Sequence, residues 1–275
     1  MMQSLPTVKL GGYDISRLVI GGNPFSGHSH ISPEMDAAME DYFTAQRIKE
    51  TLFRCLEYGI NTCQLRADRH IARVLREFKA DGGAIHWVAQ TASEYLLEAD
   101  IGLMKKYQKP IAVYHHGTIT DNLIAAGNIA ELRRRLDMLR ALDIPVGLGT
   151  HIPAVIERAE EERWGVDFYM ACLYNLSKVE RQSSAVTGRF NNGEPFDEPD
   201  RALMLKTVAA VNKPFLVFKL LGAGRRCLTP EDVTAAFTEA YTAMKPTDAA
   251  VVGMFPRDSD QIKQNTEIVR RLLAE

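Results

Sequence analysis

The sequence predicts a (β/α)8 TIM barrel. Short apolar runs alternate with longer amphipathic segments from end to end, the alternation occurs eight times, and the runs are apolar on both faces. A strand with one wet face alternates apolar and polar side chains; one covered by helices and packed inside a closed sheet reads as a continuous apolar run. Eight such units in 275 residues suit one barrel better than a doubly wound open sheet, the other arrangement the alternation allows. Residues 1–275 are therefore read as a single barrel domain.

Ahead of the first unit, TVKLGGYDISRL sets Gly11 and Gly12 between two short β-like pieces, and a hairpin there would plug the barrel floor. The expected strands are RLVIGG (17–22), INTCQL (60–65), IHWVAQT (85–91), PIAVYHH (110–116), IPVGLGT (144–150), VDFYMACL (166–173), PFLVFKL (214–220) and AAVVGMF (249–255). Helical periodicity is expected near 43–58, 69–80, 93–107, 128–142, 153–164, 200–211, 230–244 and 258–273. Thr229-Pro230-Glu231-Asp232 is a typical helix start, with proline at the first helical position. Two connections exceed simple links, residues 23–42 after the first strand and 174–199 after the sixth. In a barrel both belong to the C-terminal face, where long loops build or cover a site.

Composition excludes several classes. With 33 basic and 35 acidic residues, nothing in the charge total calls for nucleic acid or an anionic membrane. The one basic cluster, Arg133 to Arg135, sits in IAELRRRLDMLRAL, whose apolar positions repeat at helical spacing, so it reads as a solvated helix face. Cys55, Cys63, Cys172 and Cys227 form no CxxC pair, which suits a reducing cytoplasm. MMQSLPTVKL has neither the basic nor the apolar region of a signal peptide, and no apolar run reaches the ~18 residues of a membrane span. The expectation is a soluble, cytoplasmic protein acting on a small molecule.

The histidines point to the site. Of the seven, all but His86 fall at or just beyond the C-terminal end of an expected strand: His28, His30, His70, His115, His116 and His151. Asn23, Gln64, Arg66, Gln90, Asn175 and Lys219 share those strand ends, giving a mouth rich in donors and titratable groups with few carboxylates. Imidazole carries protons near neutral pH, so His116 and His151 are candidate acid–base groups. His28, His116 and His151 could alternatively supply three neutral ligands of an open divalent-metal site. His115 and His116 are adjacent on a strand, so one faces the barrel and its neighbour a helix. Lys219, among Phe218, Leu220 and Leu221, is either an imine-forming lysine of lowered pKa or a charged donor in the mouth. After strand seven comes GAGRR and after strand eight GMFPRDSDQIKQN; glycine turns entering helices, with Arg225, Arg226 and Arg257 nearby, suit a phosphate.

Taken in order, these segments resemble the aldo-keto reductase superfamily over most of the chain. VKLGGYDISRLVIGG is similar to that family's opening hairpin and first strand, and GINTCQLR stands where the family has G-[IV]-N-x-x-D-T-A. PVGLGTHIPAVIERA resembles its strand-five segment, LYNLS its strand-six end, FKLLGAGR its Y-S-P-L-G-x-G, and GMFPRDSDQIKQN its cofactor-phosphate loop. The resemblance implies NADP, with Phe218 in the place of the ring-stacking tyrosine and Gly222, Gly224, Arg257 and Asn265 in the phosphate and nucleotide region.

The departures fall on the chemistry. The family reduces carbonyls through an Asp-Tyr-Lys-His set; here the aspartate position reads Gln64, the tyrosine Arg69 and the lysine Gln90 or Thr91, leaving only His116 in HHGT. Arginine is a poor acid and glutamine supplies no charge. The expectation is therefore a non-redox lyase, hydrolase or isomerase acting on a small polyhydroxylated or keto substrate. His116 and His151, with Gln64, Arg66 and Lys219, would do the chemistry, and Asn23, Gln90 and Asn175 would bind substrate. An NADP-dependent reductase with a relocated proton donor and a non-catalytic metabolite-binding barrel are the alternatives.

Overall fold

Thr7–Leu10 (β1) and Tyr13–Ser16 (β2) pair antiparallel around Gly11, whose φ of 59° only glycine adopts without strain. Val8, Leu10 and Ile15 of this hairpin pack with Val19, Val88, Phe168, Leu216 and Ala249, inward-facing residues of the barrel strands. The hairpin therefore closes the floor, as its sequence suggests. These features come from a computed structural model that describes residues 5–180 and 182–274.

Eight parallel strands form the closed barrel: Leu18–Gly21 (β3), Thr62–Arg66 (β4), His86–Gln90 (β5), Ala112–His115 (β6), Val146–Thr150 (β7), Phe168–Cys172 (β8), Phe215–Phe218 (β9) and Ala249–Gly253 (β10), with β10 returning to β3. Side chains alternate between two cores. The inward set is the hairpin cluster above; the outward set, including Leu18, Ile20, Cys63, Leu65, Trp87, Ala89, Val113 and Leu148, packs against the helices. A strand buried on both sides has no polar face, which explains the unbroken apolar runs.

The helices are Pro33–Tyr42 (α1), Ala45–Glu57 (α2), Arg69–Ala80 (α3), Leu97–Lys106 (α4), Gly117–Ala125 (α5), Ile129–Arg140 (α6), Pro153–Glu161 (α7), Ser184–Thr187 (α8), Glu198–Ala210 (α9), Pro230–Ala243 (α10) and Gln261–Ala274 (α11). The expected Thr229–Asp232 start is a full capping box. Arg134 and Arg135 of the basic cluster lie on α6 and pair with Glu131.

Three helices depart from the sequence expectation. The first long connection contains α1, begun by Pro33 and the Ser32 hydroxyl that accepts from Met35 N, yet it buries only Met39 and so shows no apolar stripe. The second contains the single-turn α8. The segment α5 turns Gly117, Thr118, Thr120 and Asp121 inward. Its buried face is polar, which hides it from any search for apolar periodicity. The seventh strand also stops earlier than expected, because Lys219 adopts φ 63°, outside extended geometry.

Candidate functional site

At the C-terminal ends of the strands lies a cavity of about 740 Å³. Its inner part is built by inward positions of the barrel. Gln64 of β4 and Gln90 of β5 line it, with Tyr114 of β6 hydrogen-bonded to the Gln90 side chain. One step past β6, His116 also lines the cavity, whereas His115 is buried on the other side with Nδ1 bonded to Thr120 Oγ1 at 2.8 Å. Burial, with Arg135 nearby, drives His115 down to a pKa of about 3, so it stays neutral. The strand register thus gives the mouth to His116.

His151 follows β7 and carries the most organised polar contact of the site. Its Nδ1 donates to Asp121 Oδ2 at 2.7 Å, and its backbone N–H donates to the same oxygen at 3.1 Å. Asp121, on α5, also accepts from the Ser177 hydroxyl at 2.7 Å and the Thr150 hydroxyl at 2.5 Å. Burial opposes ionisation of Asp121, but hydrogen bonds from His151, Thr150 and Ser177 prevail and hold its carboxyl below the usual range. With Nδ1 committed to the carboxylate, Nε2 is the acceptor nitrogen of the neutral ring. Close packing makes this possible: a Cβ on Gly149 would stand 2.8 Å from His115 O and 2.9 Å from Gly117 N. Only glycine lets β7 come this near the start of α5.

Arg66 ends β4. Its Nε donates to Asp68 Oδ2 at 3.0 Å and its Nη2 donates to Glu94. Asp68 in turn caps α3 by accepting from Ile71 N at 2.8 Å. The guanidinium is therefore aimed from behind by two carboxylates. Lys219 lines the cavity from the end of β9, its Nζ 5.3 Å from the centre of the Phe196 ring. Phe218, beside it, meets the His151 ring edge-on at 6.0 Å.

The two long connections meet over the mouth. His30, at φ 58°, bonds through Nδ1 to Glu194 Oε2 at 2.6 Å, and Asn23 Nδ2 donates to His30 Nε2 at 3.2 Å. Arg225 donates to His30 O at 3.2 Å and lies 3.7 Å from the centre of the Phe196 ring. His28 is hydrogen-bonded to the Ser184 hydroxyl at 3.2 Å. Burial, then the charge of Arg66, lowers its pKa and keeps it neutral near pH 7.

Most of the residues expected at the site converge. Asn23, His28, Gln64, Arg66 and Gln90 line this cavity, as do His116, His151, Phe218, Lys219, Gly224 and Asn265. Three stand apart. The Asn175 side chain accepts from Ser177 N and caps a short 3-10 turn instead of lining the mouth. Gly222 is buried behind the lining, where an added Cβ would meet the Tyr174 hydroxyl at 2.9 Å. Arg257 is exposed, outside the lining and paired with Asp258 at 2.9 Å. His70 and Arg69 are exposed in the first turn of α3 and lie outside the lining.

The metal expectation is corrected. His28, His116 and His151 share the cavity, yet among the described residues no three His, Cys, Asp or Glu side chains form a group able to hold a metal ion. The Nδ1 atoms of His28 and His151 are turned to Ser184 and Asp121. The cavity is also lined by Gly224, Gln264, Asn265 and Arg271, and Arg271, not Arg257, is the cation on that wall.

Sequence reasoning missed Asp121, Asp68, Glu94 and Glu194. Asp121 carried one signal, an acidic residue within the stretch that follows HHGT.

No protein-family model and no curated relative matches the chain. Among solved structures it resembles the dihydropteroate synthase of Xanthomonas albilineans in complex with indole-2-carboxylic acid and 6-chloroguanine: 11% identity over 98% of this chain and 97% of that one, TM-score 0.53. The dihydropteroate synthase of Yersinia pestis is similar at 10% identity over 98% of each chain, TM-score 0.51. An aldo/keto reductase from Brucella melitensis matches at 12% identity over 98% of this chain and 100% of that one, but its TM-score of 0.46 is too low to carry an argument. At such identities the likeness shows the TIM-barrel fold alone, a fold shared by many chemistries. Among the described residues no helix is long and apolar enough to cross a membrane.

Proposed function

We propose that this chain is a barrel enzyme of non-redox chemistry, a lyase, hydrolase or isomerase, acting on a small polyhydroxylated or keto substrate. The observation that carries the reading is the 2.7 Å contact between His151 Nδ1 and the buried Asp121 carboxylate. A carboxylate on Nδ1 fixes the tautomer, makes Nε2 basic and stabilises the imidazolium that forms when Nε2 takes a proton. His151 is then the proton acceptor and donor, with His116 beside it as the second acid–base group. Gln64, Gln90 and Asn23 offer amides to substrate hydroxyls or carbonyls. Arg66 and Lys219 stabilise negative charge that develops on oxygen. A cytoplasmic location belongs to the same proposal.

The test is proton exchange in heavy water without added nucleotide. Aldoses, ketoses and keto acids are incubated with the protein, and loss of proton signals next to the carbonyl is followed by NMR. Exchange or isomerisation abolished by His151→Gln is the expected result. Oxidation of NADPH by a carbonyl substrate, undiminished by His151→Gln, would overturn the proposal.

One observation favours a second reading, the NADP-dependent reductase with a relocated proton donor. The cavity lining includes Gly224, Gln264, Asn265 and Arg271, a glycine turn, amides and a guanidinium of the kind that holds the phosphates of a nucleotide. In that case those residues hold the adenosine end, Phe218 faces the nicotinamide, and the cofactor supplies hydride. NADPH titration followed by fluorescence separates the two readings.

A further inference from the structure

The inner cavity presents cations, imidazoles and amides and keeps its carboxylates behind the wall. Glu267, on α11, is the one carboxylate among the lining residues of the described chain. The carboxylates around the mouth each turn their oxygens to protein donors. Asp36 accepts from Ser29 N and Oγ, Asp68 from Ile71 N and Arg66, Glu94 from Arg66, and Asp121 from Thr150, Ser177 and His151. What faces the cavity is the Arg66 guanidinium, the Lys219 ammonium, imidazoles and amides. The Arg66 side chain is 14% exposed, and its Nη1 makes no hydrogen bond among the described residues. A guanidinium N–H held this far from bulk water demands an acceptor, which a ligand in the cavity can supply.

We infer that the substrate carries an oxyanionic group, carboxylate or phosphate, bound at Arg66 and Lys219 beside His28. This rests on the reading of the mouth as a substrate site and narrows the substrate from any polyhydroxylated or keto compound to an acidic one. Asp68 and Glu94 offset the charge of Arg66, but they also fix its plane. Its Nη1, which neither carboxylate takes, then offers charged N–H groups to a ligand oxygen from a fixed position. Lys219 adds a positive charge from the opposite lip of the β10–β3 seam. The lowered pKa of His28, caused by burial and by Arg66 and Lys219 against Asp36 and Asp68, agrees with a positive field there. A neutral imidazole beside two cations can donate to the same anion without adding to their repulsion.

The experiment is isothermal titration calorimetry at matched ionic strength with three probes: L-tartrate, L-threitol (its uncharged counterpart) and inorganic phosphate. The expected result is measurable binding of tartrate or phosphate, at least tenfold tighter than threitol, and at least tenfold weakened in Lys219→Gln and in Arg66→Lys. Arg66→Lys keeps the charge and loses the planar guanidinium held by Asp68 and Glu94, and circular dichroism confirms that each variant is folded. Phosphate tighter than tartrate assigns phosphorylated substrates, and the reverse assigns carboxylic acids. Equal binding of threitol and tartrate, no binding of either anion, or full affinity in both folded variants would sink the inference. Asp121→Asn separates this inference from the function on which it rests. It should leave anion affinity within twofold while abolishing proton exchange, so anion binding with dyad-independent exchange would fell the mechanism and leave the anion site standing.

Discussion

The Nδ1 of His151 lies 2.7 Å from Oδ2 of Asp121, a contact between residues 30 positions apart that joins the end of β7 to the first turns of α5. Both side chains are almost fully buried, at 5% and 1% exposed. A charged hydrogen bond so shielded fixes the ring more firmly than a surface pair would. Replacing Asp121 by asparagine should lower turnover by roughly 10²- to 10⁴-fold, because the amide no longer enforces the Nδ1–H tautomer or stabilises imidazolium. Rates of proton exchange across pH, compared between wild type and variant, check this. A variant within threefold of wild type would remove Asp121 from the mechanism.

Asp121 also makes stability depend on acid. Its folded pKa lies below the ordinary carboxylate value, so the stabilisation it provides is present above that ordinary value and is lost as pH falls through the lower, folded one. Wild type should therefore lose stability to acid more steeply than Asp121→Asn below about pH 4. Urea melts between pH 2 and 6 measure the difference, and parallel curves would contradict it.

Asp100 should show the opposite sign. It is buried in the first turn of α4, where Oδ2 accepts from Ala92 N at 2.8 Å and Oδ1 has no partner among the described residues. Burial raises its pKa to about 7. The folded state therefore holds a proton that the unfolded chain has already lost, and stability falls as pH rises from the ordinary carboxylate value to about 7. Asp100→Asn should remove that slope and gain on the order of 1–3 kcal/mol at pH 8. Thermal melts of both proteins at pH 5 and pH 8 decide it.

Gly149→Ala should destabilise by about 1–3 kcal/mol, since the new methyl meets backbone atoms of His115 and Gly117 that cannot rotate away. The same shift should displace His151 and depress proton exchange. Equilibrium urea unfolding supplies the first number, and unchanged stability would show that β7 and α5 can separate at no cost.

Arg201 is 1% exposed, donates to Leu220 O at 2.8 Å and to the Tyr174 hydroxyl at 3.2 Å, and pairs with Glu239 at 2.5 Å. It thus braces the chain just beyond Lys219, whose φ of 63° is a conformation that ordinary side chains resist. Arg201→Met should cost about 2–4 kcal/mol, because Leu220 O and the Tyr174 hydroxyl lose their buried partner. Denaturant titration tests the figure, and a loss under 0.5 kcal/mol would refute the bracing role.

The fold was legible because its signal is local and repeated. In INTCQL or AAVVGMF each residue reports the same fact, burial on both faces, and eight repetitions leave few other closed arrangements. Turn and cap chemistry at Gly11 and at Thr229–Asp232 is equally local. By contrast α1 and α5 were invisible, since one buries a single methionine and the other buries threonines and an aspartate.

The site was half legible for the same reason. Strand ends of a barrel share one face, so Gln64, Gln90, His116, His151 and Lys219 could be gathered from order alone. Their partners could not. Asp68 is the N-cap of α3 and also a support for Arg66, and nothing in RAD distinguishes the two duties.

By itself, then, the sequence determined the barrel, its hairpin plug and the crowd of imidazoles and amides at one rim, all consequences of periodicity and chain order. Only tertiary structure decided that His116 and not His115 opens to the cavity, that Asp121 backs His151, that Asn175 and Arg257 turn elsewhere, and that the carboxylates of the inner mouth stand behind its lining. Those outcomes depend on strand register and on contacts between side chains distant in the chain, whose energies exist only once the sheet has closed.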